Sequence, residues 1–226
     1  MKTIAILLAS GSGSRFGAEL PKQYVKVRGK MILEYTLDVF HSCEKIDEIV
    51  IVTHPSYRHL IDMMLSNTIY DKVTNVLDGG QDRTSSSRIA LNICENNSKV
   101  LFHDAVRPLV TAKLISKCVE ELDIFDVVNV VTPCVDTIVE IENNKIIKLP
   151  NRRNLYKVQT PQGFKASVLK HAYNLSYKDT SFIATDDCGV VKEFLPEVDI
   201  KILIGDPQNI KITHKEDIFY LENMLI

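Results

Sequence analysis

Residues 4–24 read IAILLASGSGSRFGAELPKQY, an apolar run and then a glycine-serine loop that carries Arg15 and leads into Pro21-Lys22-Gln23. Backbone N–H groups in such a loop can face an anion, and Arg15 and Lys22 place fixed positive charge beside it. The segment departs from both common phosphate-binding patterns. A dinucleotide-binding loop has glycines at its first, third and sixth positions, which here are Gly11, Gly13 and Phe16. A P-loop opens its helix with Gly-Lys-Ser/Thr, and no glycine of this loop precedes a lysine. A cradle flanked by cations points to a nucleotide whose phosphates are attacked, rather than to a redox cofactor. A plain glycine-rich turn between strand and helix is the structural alternative.

Five other places carry chemistry. In Asp104-Ala105-Val106-Arg107-Pro108, Asp104 could bind a ribose hydroxyl or a phosphate-held metal, and Arg107 a phosphate; the alternative is a local ion pair of little energetic value. Gly79-Gly80-Gln81-Asp82-Arg83-Thr84-Ser85-Ser86 is a turn entering a helix. Its glycines admit close approach of a ligand to the backbone, although serines near a helix start are commonly caps. Lys211 lies between Ile210 and Ile212, and its role depends on whether it shares a mouth with Lys22. Thr185-Asp186-Asp187 places acid at a helix entry, and Arg152, Arg153 and Lys157 surround Leu155-Tyr156, as a phosphate site or as a solvated face.

These residues need a scaffold, and the pattern supplies one. Apolar strand-length runs at 3–9, 48–53, 73–77, 99–103 and 126–131 alternate with helix-period segments. This predicts an α/β fold: a mostly parallel, Rossmann-like sheet with helices on both faces. Continuous rather than alternating apolarity marks the first strand as buried on both sides. The alternation breaks after Pro133. Val135–Leu149 reads as two β segments around Glu142-Asn143-Asn144-Lys145, a hairpin without a tight two-residue turn, which either caps a sheet edge or protrudes as an arm. Further strands are predicted at 156–160 and 199–205, and helices at 165–174, 185–194 and 215–225. The expectation is one domain over 1–226 with a β-arm insertion at about 134–160. Ligands of such sheets sit beyond the carboxyl ends of the strands, so loops 10–22, 79–86, 104–108 and 132–137 should share one mouth.

Bulk properties narrow the function. A chain of 226 residues with 45% hydrophobic and 25% charged content has the make-up of an ordinary globular protein. A net charge of -2 gives no reason to expect nucleic acid or an anionic membrane surface as partner. The five cysteines are odd in number, widely spaced and never in Cys-x-x-Cys, which argues against a disulfide framework or zinc site and suits a reducing cytoplasm. No apolar stretch approaches the roughly 20 residues that span a bilayer.

Together the segments LLASGSGSRFG, PKQY, GGQDRTSS, HDAVRP, VDTIVE, NRRNLYKVQTPQ, ATDD and NIKIT resemble the cytidylyltransferases that activate polyol phosphates with CTP. That family includes the methylerythritol-phosphate enzyme of isoprenoid synthesis and the ribitol-5-phosphate enzyme of teichoic acid and capsule synthesis. The resemblance implies a nucleotidyltransferase fold whose β arm is exchanged across a homodimer. It implies Mg²⁺-dependent attack of a polyol phosphate on the α-phosphorus of CTP. Arg15, Lys22 and Lys211 would then neutralise the triphosphate and the transition state. Ala9, Ser10, Gly11, Gly13, Gly80, Gln81, Ser86 and Asp104 would hold CTP, with peptide groups at Ala9, Gly80 and Gln81 and the Ser86 hydroxyl reading base and ribose. Asp104 would also lie at the metal. Arg107, Thr137, Arg152, Thr160 and Thr185 would gather the polyol phosphate, some of them from the partner's arm. VDTIVE followed by PNRRNLY resembles the ribitol-phosphate branch more than the isoprenoid branch, which commonly has Trp at the Tyr156 position. Ser10 and Phe16 depart from the usual residues without removing a charge. A catalytically silent nucleotide-binding dimer is the alternative class; it predicts a lost cation, yet Arg15, Lys22 and Lys211 are all present.

Overall fold

The structure is a computed structural model that describes residues 1–12, 16, 20–177, 179, 182 and 184–225. Its centre is a seven-stranded sheet. The strands are β1 (Lys2–Ala9), β4 (Glu48–Thr53), β5 (Val73–Asp78), β6 (Ser98–Asp104), β7 (Val127–Pro133), β10 (Tyr156–Lys165) and β11 (Ile200–Ile204), in the order β11-β7-β10-β6-β1-β4-β5. All neighbours are parallel except β10, which runs antiparallel to both β6 and β7. The expected mostly parallel sheet with helices on both faces is therefore present. β1 is central because every residue from Thr3 to Leu7 is buried, which requires cover on both sides.

The strand period of two divides that cover. Ala5 and Leu7 face a cluster with Leu33, Leu37 and Phe40 of α1 (Ile32–Ser42) and Ile115 and Val119 of α4 (Ala112–Glu121); α2 (Arg58–Asn67) adds Ile61 and Met64. Ile4 and Ile6 face the opposite cluster. That cluster holds Ala90 and Leu91 of α3 (Arg83–Ile93), Leu169, Ala172 and Tyr173 of α5 (Ala166–Ser176), and Val190 and Val191 of α6 (Asp187–Phe194). A smaller cluster joins Phe16, Val27, Ile32, Val106 and Ile212 to Leu221 of α7 (Glu216–Met224). Among the described residues no helix is long and apolar enough to cross a membrane.

Two hairpins complete the chain. One, β2 (Lys26–Val27) with β3 (Lys30–Met31), was not read from the sequence; Arg28 and Gly29 turn it with φ of 48° and 88°. The other, β8 (Glu140–Glu142) with β9 (Lys145–Lys148), forms its own two-stranded sheet. Its turn corrects the sequence reading: Asn143 and Asn144 have φ of 49° and 59°, so the hairpin does close on two residues. Asparagine tolerates the left-handed region that such a turn requires at both central positions.

Candidate active site

Chain order passes from β1 to β4 and β5 on one side, then returns to place β6 on the other side of β1. The crevice at this reversal is where an open α/β sheet binds its ligand. A cleft of about 410 Å³ opens there, lined by Leu8–Ser12 after β1, His54 after β4, Gly80–Arg83 and Ser86 after β5, and Asp104 and Val106 after β6. Lys22, Gln23 and Lys211 complete it. Lys211 thus faces the same mouth as Lys22, held there because Ile212 packs inward and its N–H donates to Val106 O at 2.9 Å. Three of the four loops expected at the mouth meet; residues 132–137 do not line it. Arg15 and Gly13, expected as a catalytic cation and part of the cradle, lie outside the described residues.

The PKQY segment explains how the cradle keeps its shape. Lys22–Tyr24 forms one 3-10 turn in which all three side chains are buried, so Lys22 is not a free loop side chain. Gln23 Nε2 donates to both Ala9 O (2.6 Å) and Gly11 O (2.7 Å). The Tyr24 hydroxyl donates to Ala9 O at 3.0 Å and accepts from Thr53 Oγ1 (2.8 Å) and the His54 N–H (3.1 Å). Two neighbouring side chains therefore fasten the ends of β1 and β4 to the loop. The carbonyls of Ala9 and Gly11 are thereby occupied by the protein itself.

Asp104 is the electrostatic centre. Its Oδ2 receives Lys211 Nζ at 3.0 Å and Arg107 Nε at 3.4 Å, and Arg83 Nε lies 3.9 Å from Oδ1. Burial opposes its charge, but Lys211, Arg83 and Arg107 outweigh that penalty and hold the carboxyl well below the usual carboxylate range. Among the described residues no group of three or more His, Cys, Asp or Glu could hold a metal by itself. A lone ionised carboxylate beside a phosphate cradle does suit an ion held chiefly by the ligand's phosphates, as Mg²⁺ is in many nucleotide sites.

Three residues expected to touch ligand make their hydrogen bonds within the protein, and of these Ser86 lines the cleft while Arg107 and Thr160 do not. Arg107 is buried, and besides Asp104 its guanidinium donates to Asn209 O (2.9 Å) and Val158 O (3.4 Å). The Thr160 hydroxyl accepts from the Asp104 N–H and donates to His103 Nδ1, both at 3.1 Å, because the neutral imidazole gives its single proton, on Nε2, to Arg107 O. Ser86, fully buried, donates to Asp82 O at 2.8 Å and accepts from the Gly80 N–H at 3.1 Å and from Ser10 Oγ at 2.8 Å. A hydroxyl has one proton and two lone pairs, so within this structure the Ser86 proton and both lone pairs are engaged. Thr137, Arg152 and Thr185 are exposed and do not line the cleft; Arg152 donates to Val135 O at 3.0 Å across the base of the arm.

Sequence reasoning missed His54 and the role of Arg83. His54 was signalled by its place directly after a strand. Arg83 was quoted within the glycine turn without a partner, because its partner Asp187 is 104 residues away by number and only the fold joins them (Nη1 to Oδ2, 2.7 Å).

His103 carries a pH prediction. Burial pushes its imidazole down to about 3. Below the ordinary value of 6.5 the unfolded chain binds a proton that the folded chain refuses until about pH 3, so stability is lost as pH falls through that window. Asp104 adds a further loss only below its unfolded value of 3.8. The urea midpoint should decline from pH 6.5 downwards, and a His103→Gln variant should decline less steeply; identical slopes would remove His103 from the account.

A glycine-serine loop, two lysines and an ionised carboxylate meet at the switch point of this sheet, an arrangement that suits the phosphates of a nucleotide. Comparison with known proteins agrees. The family model for 2-C-methyl-D-erythritol 4-phosphate cytidylyltransferase matches residues 3–226. A bifunctional ribulose 5-phosphate reductase/CDP-ribitol pyrophosphorylase of Haemophilus influenzae is 41% identical over 99% of this chain, which spans only 48% of that relative. A 2-C-methyl-D-erythritol 4-phosphate cytidylyltransferase of Thermobifida fusca is 37% identical over 99% of this chain and 93% of its own. The crystal structure of 4-diphosphocytidyl-2C-methyl-D-erythritol synthase from Anaerococcus prevotii superposes with a TM-score of 0.87 at 30% identity, over 99% of this chain and 96% of that one. The protein belongs to the CTP-dependent cytidylyltransferase family.

Proposed function

We propose that this cytidylyltransferase transfers the cytidylyl group of CTP to a pentitol phosphate, D-ribitol 5-phosphate, giving the CDP-polyol and pyrophosphate. The observation that carries the reading is Lys211 and Lys22 lining one cleft with the β1 loop and the Asp104 carboxylate. An oxygen of the substrate's phosphate monoester attacks the α-phosphorus of CTP. The new P–O–P bond forms as the bond to the β-phosphate oxygen breaks, and pyrophosphate leaves. The dianion is already nucleophilic, so the chain supplies position and charge rather than a covalent nucleophile. Lys22 and Lys211, with Arg15 as third cation, stabilise charge gathering on the phosphoryl oxygens, and the peptide groups after β1 orient the triphosphate. Asp104 would hold Mg²⁺, which when bound lowers the charge of the triphosphate.

The pentitol reading is supported by the H. influenzae relative and by the local run VDTIVE to PNRRNLY. The family model and the T. fusca relative favour 2-C-methyl-D-erythritol 4-phosphate as the second reading. The arm is read as a homodimer element: Ile141, Ile146, Ile147 and Leu149 are all exposed on it, an apolar surface that a second copy would cover. In that assembly Thr137 and Arg152 of one protomer would serve the partner's cleft. Buried free thiols at all five cysteines suit work in the cytoplasm.

Incubation with CTP, Mg²⁺ and each polyol phosphate tests the proposal. Pyrophosphate release with D-ribitol 5-phosphate is the expected result. Release only with methylerythritol 4-phosphate would move the protein to the isoprenoid branch, and release with neither would overturn the pentitol and isoprenoid readings together.

A further inference from the structure

Ser86 is saturated within the protein, and this has a consequence for its neighbour. The carbonyl of Asp82 can only accept, so the single proton of Ser86 Oγ points to it at 2.8 Å. The lone pairs of Ser86 receive the Gly80 N–H at 3.1 Å and, at 2.8 Å, Ser10 Oγ. Ser10 must therefore be the donor in the serine pair. Its proton points inward, and its two lone pairs are left for the cleft that it lines. The arrangement is fixed in space. A Cβ on Gly79 would stand 2.2 Å from Ser10 Cβ and 3.0 Å from Ser86 Oγ, so the glycine backbone lies directly against the pair. The Asp82 carbonyl that orients the chain is itself held by the start of α3, where Asp82 and Ser85 cap one another's N–H groups (2.6 and 3.0 Å).

We propose that Ser10 is a specificity-determining residue of this chain, presenting an acceptor-only hydroxyl that selects a hydrogen-bond donor on the nucleotide. The proposal rests on the cytidylyltransferase reading and deepens it. A nucleotide offers two kinds of donor at such a site, the exocyclic amine of the base and a ribose hydroxyl. Both meet the same chemistry. A carbonyl in place of the amine would set lone pair against lone pair, and a deoxyribose would leave the Ser10 oxygen without its partner. Buried polar groups left unpaired are what make such discrimination effective.

The test compares the wild type, Ser10→Ala and Ser10→Cys with CTP, UTP, 2′-deoxy-CTP and 3′-deoxy-CTP, by titration calorimetry and by turnover. The cysteine keeps the volume but accepts hydrogen bonds poorly, so it should follow the alanine if acceptance matters. Thermal midpoints identify any variant that has lost its fold. Both variants should bind CTP about three- to tenfold more weakly, as expected for one neutral hydrogen bond. If the amine is the partner, UTP binding holds or improves, the CTP preference over UTP collapses, and the deoxynucleotides fall along with CTP. If a ribose hydroxyl is the partner, the preference over the matching deoxynucleotide collapses and UTP falls along with CTP. Either pattern supports the proposal. An equal loss for all four nucleotides, or no loss for CTP, overturns it. Calorimetry needs no acceptor substrate, so a wrong polyol phosphate leaves the selectivity readable. A wild type that binds none of the nucleotides would overturn this proposal and the cytidylyltransferase reading together.

Discussion

Lys211→Ala should reduce turnover by about two to three orders of magnitude, the range seen when one preorganised transition-state donor is removed, while leaving the thermal midpoint within a few degrees. Lys211 does two things at once. Its ammonium lies at the cleft where charge develops, and at 3.0 Å it holds one oxygen of Asp104 in place. Its side chain is more than one-third exposed, so the fold loses little when it goes. Among the neighbouring cations Lys211 is the strongest influence keeping Asp104 ionised. Its removal should therefore raise that carboxyl toward the ordinary range and move the acid limb of the pH–rate profile upward. Kinetics at several pH values check both effects; a variant with near-normal kcat would remove Lys211 from the chemistry. Lys22→Ala should lower kcat similarly but carry a larger stability cost, because Lys22 is buried.

Asp187→Ala should be the most destabilising single change around the cleft, costing about 3 kcal/mol as an uncompensated buried charge. Asp187 is fully buried; it takes Arg83 on one oxygen at 2.7 Å and the Tyr173 hydroxyl on the other. Among the described residues, removal leaves Arg83 with the 3.9 Å approach to Asp104 and takes away the carboxylate that the Tyr173 hydroxyl bonds. Arg83 keeps some access to water, which limits the penalty. A double variant, Arg83→Met with Asp187→Leu, should recover part of the loss, because removing both charges is milder than stranding one. Urea denaturation of the two single variants and the double variant closes the cycle. Strictly additive losses would show that the pair is not coupled.

Much of this architecture was legible because its signals are local. Continuous apolar runs such as EIVIVT mark strands buried on both faces, and the carboxyl-end rule led to the loops that begin at Ser10, Gly79 and Asp104, although its fourth loop, 132–137, does not line the cleft. The antiparallel course of β10 was not legible: YKVQTPQGFK has the same composition whichever way it runs, and only its pairing with β6 and β7 sets the direction. The bonds that three candidate residues make within the protein were hidden for a related reason. Ser86, Thr160 and Arg107 carry groups that suit a ligand equally well, and their partners, Ser10, His103 and Asn209, are near only after folding. The tight turn at Asn143-Asn144 was missed because it lacks the glycine that usually marks such turns.

The arm has a consequence for how this chain can change. Residues 134–155 leave and rejoin the sheet at neighbouring points, where the Cys134 N–H donates to Leu155 O at 2.9 Å and Tyr156 stands opposite Pro133. Beyond that junction β8 and β9 pair only with each other. Lengthening, shortening or exchanging the loop would leave every rung of the seven-stranded sheet intact. To the sheet the arm is a cassette that need match only at its two ends, whereas its exposed apolar face would have to match whatever second copy covers it.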